Sequence, residues 1–596
     1  MFPRKILKQV FGYSKFLDNQ EQIINHILDG KNVFVLMPTG GGKSLCYQLP
    51  ALLLDGLTIV VSPLIALMQD QVGSLNQLGI NAAYLASNLE QEQINEYWKK
   101  IHMKQIKILY VTPERLCSQW FLLFLKNQKV SLFAIDEAHC VSHWGHDFRP
   151  EYQKLNLLAK LFPHTPRLAL TATADHYTRI DIMHYLNLKE AKFFNSSFLR
   201  GNIIYNVQEK NNGKNQLLNF LEMHKHECGI IYCNSRARVD EICKFLNLNK
   251  YESVSYHAGL ENTIREENHN FFLQNNNVIM VATVAFGLGI DKPDVRYVYH
   301  FDMPKSIDHF YQESGRAGRD NMLAYSCVSF GFKDIIELGK VIVMSEMSEL
   351  KKRYELIKLK KIIQYCDTTD CRCKKLLQLM GEDIATCGKC DNCINPPKQY
   401  DATALAQKIL STIYRVQQKC TVTTLVDILR GKASLDIQIW EYHKLSTFGL
   451  CNDLNSKELR RAIRRLYSKD IIDIDYFTGY LKLNNNSLPI IKGLQDVYLP
   501  VIKSKIQKGY KYINNTLWLR NELEERLYRD ILTYRHELAL LYKVSQHAVL
   551  SDKVIYEVVT NKPKSQEQLR KIYGIGKAKL EKYGEKLVAM VNSYFR

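Results

Sequence analysis

The sequence predicts a multidomain α/β fold. Two parallel-sheet domains lie in series, followed by a helical segment with a cysteine cage, a helical segment ending in a hairpin, and a small C-terminal helical module. Three observations predict it. With 596 residues the chain is too long for one hydrophobic core. Near its start, an apolar run rich in β-branched and aromatic residues (NVFVLM) turns through TGGGKS into a segment of helical length (SLCYQLPALLL), the order of a buried parallel strand and its crossover helix. Far downstream, Cys387, Cys390 and Cys393 form C-x-x-C-x-x-C, whereas most of the 15 cysteines are scattered singly.

In the glycine loop, Thr39, Gly40, Gly41 and Gly42 can turn tightly and expose backbone N–H groups at a helix N-terminus, where phosphate is favoured. Lys43 is placed to reach β/γ-phosphates and Ser44 to ligate Mg2+. The usual G-x-x-x-x-G-K-[ST] pattern has glycine where this chain has Met37, but the consecutive glycines after it still supply the turn. A second strand, VSLFAI, ends in Asp136-Glu137-Ala138-His139. Asp136 is placed to hold Mg2+ through water, and Glu137 to orient and deprotonate an attacking water. Directly afterwards, CVSHWGHDFRPEY brings Trp144, Phe148, Arg149 and Tyr152 together with His139, His143 and His146. Glycine and proline interruptions make this a loop whose stacking faces and cation suit single-stranded nucleic acid; Tyr152 suits a core equally well.

Composition agrees. Lys+Arg exceed Asp+Glu by 80 to 61, a formal +19 with a pI near 9.1, which favours a polyanionic partner, nucleic acid ahead of an acidic membrane. The most apolar region, 50–68, is broken by Asp55 and Pro63 and gives no spanning run. The N-terminus, MFPRKILKQVFGY, lacks a secretion signal, so the thiols read as reduced and the location as cytoplasmic.

The three clustered cysteines need a fourth ligand to close a tetrahedral zinc site of structural type; Cys371, Cys373 and Cys366 lie upstream, and an iron–sulfur cluster is the chemical alternative. After NPPKQYD, residues 402 to about 500 read as short helices and a hairpin (IIDIDYFTGYLKLN), a winged helix whose tip near Phe477 is a candidate wedge between strands. The arginines of LRRAIRRLYSK face either phosphate or solvent. In QLRKIYGIGKAKLEKYG, a Gly-Ile-Gly turn opens backbone amides to phosphate beside Lys577 and Lys579.

Taken together, these motifs resemble a superfamily-two helicase, and more narrowly the bacterial RecQ DNA helicases. FGYSKFLDNQEQII, VVSPLIALMQDQV, VTPERL and ALTATA match the first half of that family's pattern. IIYCNSRARVDEI, YHAGL, VATVAFGLGIDKPDVR and YQESGRAGRD match the second. The resemblance implies two RecA-like motor domains (1–198 and 199–336), a zinc-binding subdomain (337–398), a winged helix (399–505), a linker (506–523) and an HRDC-like domain (524–596). It implies Gln20 and Tyr13 at the adenine, with Leu17 where the family commonly has arginine. It places Cys371 as the upstream zinc ligand. Arg316 and Arg319, three residues apart and so on one side of a helix, would reach a γ-phosphate across the interdomain cleft. Thr112, Arg115, Thr171 and Thr283 are implied to provide or position DNA grips, and His139, Trp144, Phe148 and Arg149 to couple DNA occupancy to hydrolysis. The activity implied is ATP-dependent 3′–5′ unwinding of tailed or branched DNA, with ATP, Mg2+ and Zn2+ as cofactors. A single-stranded-DNA-binding protein is the expected partner, and the enzyme would be nucleoid-associated when active.

Overall fold

The computed structural model describes residues 2–595 except 87–88, 146–147, 287–291, 502–520 and 543. Most of the expected linker, and the GLGID end of the VATVAFGLGID motif, lie outside these described residues.

The first domain is built on a seven-stranded parallel sheet. Its strands are β1 (Val33–Leu36), β2 (Leu57–Val61), β3 (Ala82–Leu85), β4 (Ile108–Val111), β5 (Val130–Ile135), β6 (Arg167–Thr171) and β7 (Lys192–Asn195), in the order β3-β4-β2-β5-β6-β1-β7. Strand β1 shows why these sequences are continuously apolar. Phe34 and Leu36 pack on one face while Val33, Val35 and Met37 pack on the other, each at most 1% exposed. Met37 is therefore a core residue at the strand's end, and the turn begins after it. The second domain has a six-stranded parallel sheet of β8 (Ile203–Glu209), β9 (Gly229–Tyr232), β10 (Ser253–Tyr256), β11 (Ile279–Ala282), β12 (Tyr297–His300) and β13 (Ala324–Phe330), ordered β10-β11-β9-β12-β13-β8. In both domains loops leave the C-terminal strand ends, where open parallel sheets bind ligands. After β1 comes helix α1 (Leu45–Leu53), and α2 (Ile307–Ser314) precedes the Arg316 segment.

Helices α3 (Glu349–Asp367) and α4 (Arg372–Leu379) form the platform beside the cysteines. Next come α5 (Thr403–Arg415), α6 (Val422–Arg430), α7 (Ser456–Ser468) and the antiparallel pair β15 (Ile472–Asp475) and β16 (Tyr480–Leu483). A short antiparallel pair, β14 (Gln399–Asp401) with β17 (Tyr498–Pro500), closes the ends of this unit. At the hairpin tip, the Asp475 carboxylate accepts from the Phe477 N–H at 3.0 Å, Gly479 takes φ +76°, and Phe477 is 68% exposed.

The arginines of α7 face neither phosphate nor solvent alone. Arg464, 4% exposed, donates to Asp367 at 3.1 Å and to Glu209 at 3.2 Å; Arg461 also pairs with Glu209, and Arg465 donates to the Asp367 carbonyl. The arginine-rich run was visible in sequence. Its inward cations were not, because their carboxylates come from β8 and α3.

The C-terminal module, α8 (Glu522–Tyr542), α9 (Asp552–Asn561) and α10 (Lys577–Tyr594), has its own apolar core around Leu527, Ile531, Ile555, Val559 and Leu587. It docks on both sheet domains. On the first, Ser545 donates to Asp70 at 2.8 Å and Tyr583 to Gln77 at 2.9 Å; on the second, Arg535 donates to Asn276 at 3.3 Å and Gln546 to the Gln274 carbonyl. Gly574 N–H donates to the Gly12 carbonyl at 3.1 Å. A side chain on Gly12 would lie 2.8 Å from the backbone of Gly574 and Ile575, so the Gly-Ile-Gly turn is pressed against the first domain rather than held open to phosphate.

Candidate active site

The glycine loop leaves β1 with Gly40 at φ +76° and Gly42 at φ +79°, conformations that L side chains resist. Gly41 is fixed by space: a Cβ there would sit 2.7 Å from the Met37 side chain and 3.0 Å from the Pro38 carbonyl. Each of the three glycines therefore has its own physical reason. Lys43 Nζ folds back on the Met37 and Pro38 carbonyls at 3.2 and 3.3 Å, and burial draws its pKa below the lysine range. An ammonium hydrogen-bonded to carbonyls just ahead of the α1 N-terminus fits an incoming phosphate. Gln20, 2% exposed, donates to the Gly41 and Gly42 carbonyls at 3.3 and 3.1 Å while accepting from Leu17 N–H at 2.9 Å, so it braces the loop. Tyr13 stacks on Tyr573 of the C-terminal module, centroids 4.9 Å apart and planes at 27°. One aromatic partner of Tyr13 thus comes from the far end of the chain, the other being Phe11 beside it.

Asp136 and Glu137 follow β5. Glu137 has φ +48°, an unusual left-handed backbone for a non-glycine residue, and its N–H donates to its neighbour's Oδ1 at 2.9 Å. Burial, then the adjacent Glu137 charge, raises Asp136 to about 7. Burial also acts to raise Glu137, but His139, Lys43 and Arg316 outweigh it and hold its carboxyl down to about 2. The surrounding charges thus bias the two buried carboxyls in opposite directions, Asp136 upward and Glu137 downward. His139 Nδ1 lies 2.9 Å from Thr171 Oγ1 at the end of β6, and Met37 N–H donates to the Thr171 carbonyl at 3.1 Å. His139 and Thr171 are 1% and 0% exposed. This corrects the expectation that they touch DNA: both are interior, and together they tie the acidic motif to the glycine loop.

From the second domain, Arg316 and Arg319 face this group. Arg316 is 3% exposed and contributes to the depressed Glu137 carboxyl, while the Arg319 charge reaches Lys43. Gly315 passes so close to the glycine loop that a Cβ would lie 2.4 Å from Thr39 Oγ1. Sequence reasoning missed Arg200. Its guanidinium, 6% exposed, donates to the Thr39 carbonyl at 2.5 Å and to the Gly315, Ala317 and Gly318 carbonyls at 2.8, 3.1 and 3.0 Å. Nearby, Asn202 donates to Gly318 and Met322 at 2.7 and 2.8 Å. The only signal was an arginine and an asparagine in the connection FLRGN between two sheet domains.

The aromatic loop lies against α3. Trp144 packs near Tyr177 and Tyr354, centroids 5.8 and 5.1 Å away, and Lys358 donates to the Trp144 carbonyl at 3.0 Å. His143 and Phe148 stack at 3.7 Å, Arg149 donates to the Pro63 carbonyl at 3.0 Å, and Tyr152, fully buried, donates to the Asp136 carbonyl at 3.0 Å. Tyr152 is thus a core residue that supports the acid. Thr112 caps the turn Pro113–Leu116 by accepting from Arg115 N–H at 3.3 Å; Thr283 accepts from Ala285 N–H at 3.4 Å, and all three named side chains remain half-buried. Lys577 is exposed, whereas Lys579 is largely enclosed and burial lowers its pKa to about 8, leaving it a poorer phosphate contact than its neighbour.

The Sγ atoms of Cys371, Cys387, Cys390 and Cys393 lie within 4.8 Å of one another. Cys387 N–H donates to the Cys371 sulfur at 3.2 Å, and Arg372 N–H to the Cys390 sulfur at 3.3 Å. Four converging thiols with amide donors suit a tetrahedral thiolate cage. Cys366 and Cys373 pack in the core outside that group. Buried Arg372 braces the cage, donating to Asp391 at 2.9 Å and to the Tyr365 and Cys366 carbonyls at 2.9 and 3.0 Å.

Comparison with known proteins gives five family matches: DEAD/DEAH box helicase over 17–180, helicase conserved C-terminal domain over 212–321, RecQ zinc-binding over 332–394, RQC domain over 396–508 and HRDC domain over 524–591. The ATP-dependent DNA helicase RecQ of Pasteurella multocida is 38% identical, covering 99% of this chain and 93% of its own. That of Bacillus subtilis is 35% identical, covering 100% and 99%. The RecQ-like DNA helicase BLM of Xenopus laevis is 32% identical over 99% of this chain and 46% of its own.

Proposed function

This chain belongs to the RecQ family of ATP-dependent DNA helicases, and from that premise we propose which of its residues carry each step. It hydrolyses ATP to translocate 3′ to 5′ along single-stranded DNA and unwind duplexes in recombination and repair. The observation that carries the assignment is the convergence of Lys43, Asp136 and Glu137 of one domain with Arg316 and Arg319 of the other, bridged by Arg200.

The glycine-loop amides and Lys43 hold the phosphates of ATP. Ser44 and Asp136 would hold Mg2+, which neutralises charge on the phosphate oxygens. Glu137, ionised and half-caged by His139, orients the attacking water and takes its proton. Arg316 and Arg319 stabilise charge that develops on the transferred group, Arg319 by direct contact with it. Tyr13 flanks the base, and Gln20 holds the loop beneath it. Trp144, Phe148 and Arg149 sense the strand; Thr112, Arg115 and Thr283 position grips on its backbone. Cys371, Cys387, Cys390 and Cys393 would hold Zn2+ in a structural role and so brace α3. The exposed Phe477 tip is placed to part the strands. A single-stranded-DNA-binding protein is a suitable partner because separated strands are the product. The proposed location is the bacterial cytoplasm, on the nucleoid during work; among the described residues no helix is long and apolar enough to cross a membrane.

Strand displacement on duplexes with a 3′ or a 5′ tail tests polarity and activity together. Lys43→Ala and Arg319→Ala should each abolish unwinding. Unwinding at the parental rate in Lys43→Ala would overturn the motor assignment.

A further inference from the structure

Tyr232 ends β9 at the C-terminal edge of the second sheet, in register with Ala282 of β11 on one side and His300 of β12 on the other. Its side chain is buried and fixed twice. The ring stacks on His300, centroids 5.6 Å apart and planes at 22°, and the hydroxyl donates to the Phe286 carbonyl at 2.8 Å. His300 is itself held, its Nε2 lying 2.9 Å from Glu313 Oε2 of α2. Phe286 N–H donates to the Thr283 carbonyl at 3.0 Å, so the hydroxyl is tied to the turn that carries Thr283. Burial pushes the phenol above the usual tyrosine range, against the opposing charge and hydrogen bond of Arg316. The hydroxyl therefore keeps its proton for the Phe286 carbonyl and offers its lone pairs to the Arg316 guanidinium.

Arg316 needs such a partner. It is enclosed, and among the described residues its Nε has no hydrogen-bond partner. Burial is the largest influence on its charge, and Tyr232, Arg319, Glu313 and Glu137 also reach it. A buried guanidinium with one nitrogen left bare is steered by the few fixed groups that touch it. We propose that Tyr232 is a positioning residue, whose hydroxyl aims Arg316 at the transferred phosphate and ties that aim to the turn bearing Thr283. The proposal rests on the helicase reading, in which Arg316 stabilises developing charge and Thr283 positions a strand grip. A strand that shifts the Thr283 turn draws on the Phe286 carbonyl, and the hydroxyl passes that shift to Arg316 while His300 keeps the ring from swinging away. Phenylalanine would fill the same space and stack on the same imidazole, yet leave both the carbonyl and the guanidinium without the hydroxyl.

The test is ATP hydrolysis by the full-length chain, with and without oligo(dT), for Tyr232→Phe, Arg316→Ala and the double variant. Tyr232→Phe should lower the DNA-stimulated kcat by about 10- to 100-fold, the size of one hydrogen bond to a charged group. KM for ATP and the oligo(dT) concentration for half-maximal stimulation should stay nearly unchanged. In the Arg316→Ala background, read in single turnover, the same change should cost less than about twofold, because a group that acts through Arg316 has nothing left to aim. Losses that multiply in the double variant would overturn the proposal, as would an unchanged kcat in Tyr232→Phe. A higher half-saturating oligo(dT) concentration at constant kcat would place Tyr232 in the strand grip alone and also overturn it. Should Tyr232→Phe fail to fold, His300→Asn, which frees the ring but keeps the hydroxyl, carries the same cycle with Arg316→Ala under the same criterion. A parent whose hydrolysis oligo(dT) does not stimulate would instead overturn the helicase reading, and this proposal with it.

Discussion

Arg200 shows how much one buried side chain can carry. Three of its four hydrogen bonds go to the Gly315–Gly318 segment and one to the glycine loop, so it ties the arginine segment of the second domain to the phosphate loop of the first. A lysine keeps the charge but loses the planar fork. Arg200→Lys should therefore reduce kcat for DNA-stimulated ATP hydrolysis by about 10–100-fold, as when a transition-state positioning contact is lost, with KM for ATP nearly unchanged. A rise in KM at constant kcat would show that Arg200 acts only on nucleotide binding. Lys43 was legible in the glycine loop after β1, and Asp136 with Glu137 in the turn after β5, because within each motif consecutive residues carry the chemistry. Arg200 was not, because its partners lie 115 to 161 positions away. Lys579 gives a second residue-scale test. Burial, with Lys582 second, brings it to about 8 in the folded protein, against about 10.4 for a free lysine. Between those values the unfolded chain holds a proton that the folded chain has shed, so stability rises with pH across that window and the full penalty applies below it. Relative to the parent, Lys579→Met should melt higher at pH 7, and the gap should close between pH 8 and about 10.4 in melting curves. A gap that does not vary with pH would place the effect in packing alone.

At the scale of elements, the aromatic loop was legible as a loop, but its support was not. Tyr354 and Lys358 come from α3, and Lys351 of the same helix donates to the His143 carbonyl at 2.6 Å. A strand that moves Trp144 therefore pushes on the helix that leads to the zinc cage. Trp144→Ala should leave nucleotide binding intact and lower the stimulation of ATPase by single-stranded DNA by about tenfold, in the range a single base-stacking contact supports. Undiminished stimulation would remove Trp144 from the coupling path. Helix α7 is the opposite case, where the run of arginines was legible and their carboxylate partners were not. Arg464 is enclosed with Asp367 and Glu209, and its guanidinium lies 4.5 Å from the Phe330 ring centroid. Arg464→Ala leaves the 1%-exposed Asp367 carboxylate short of its partner and should destabilise the unit by about 3–5 kcal/mol, measured by urea unfolding. Arg464→Met should cost less if Asp367 is replaced by leucine as well.

At the scale of the whole molecule, β1 and β5 were legible as strands, because strands buried on both faces read as continuous apolar runs, while the two-sheet architecture followed from the family resemblance. The order of the modules followed from motif order. Their mutual contacts did not: nothing local in QLRKIYGIGKAKLEKYG says that its glycines meet Gly12, more than five hundred residues earlier. The C-terminal module grips Asp70 and Gln77 on one lobe and Asn276 on the other. A clasp fastened to both jaws limits how far they gape, so each turnover must either stay within the slack of those few bonds or unhook one side. The tail of this helicase is thus a tether across its own cleft, and parting the two sheets means breaking its bonds to one of them.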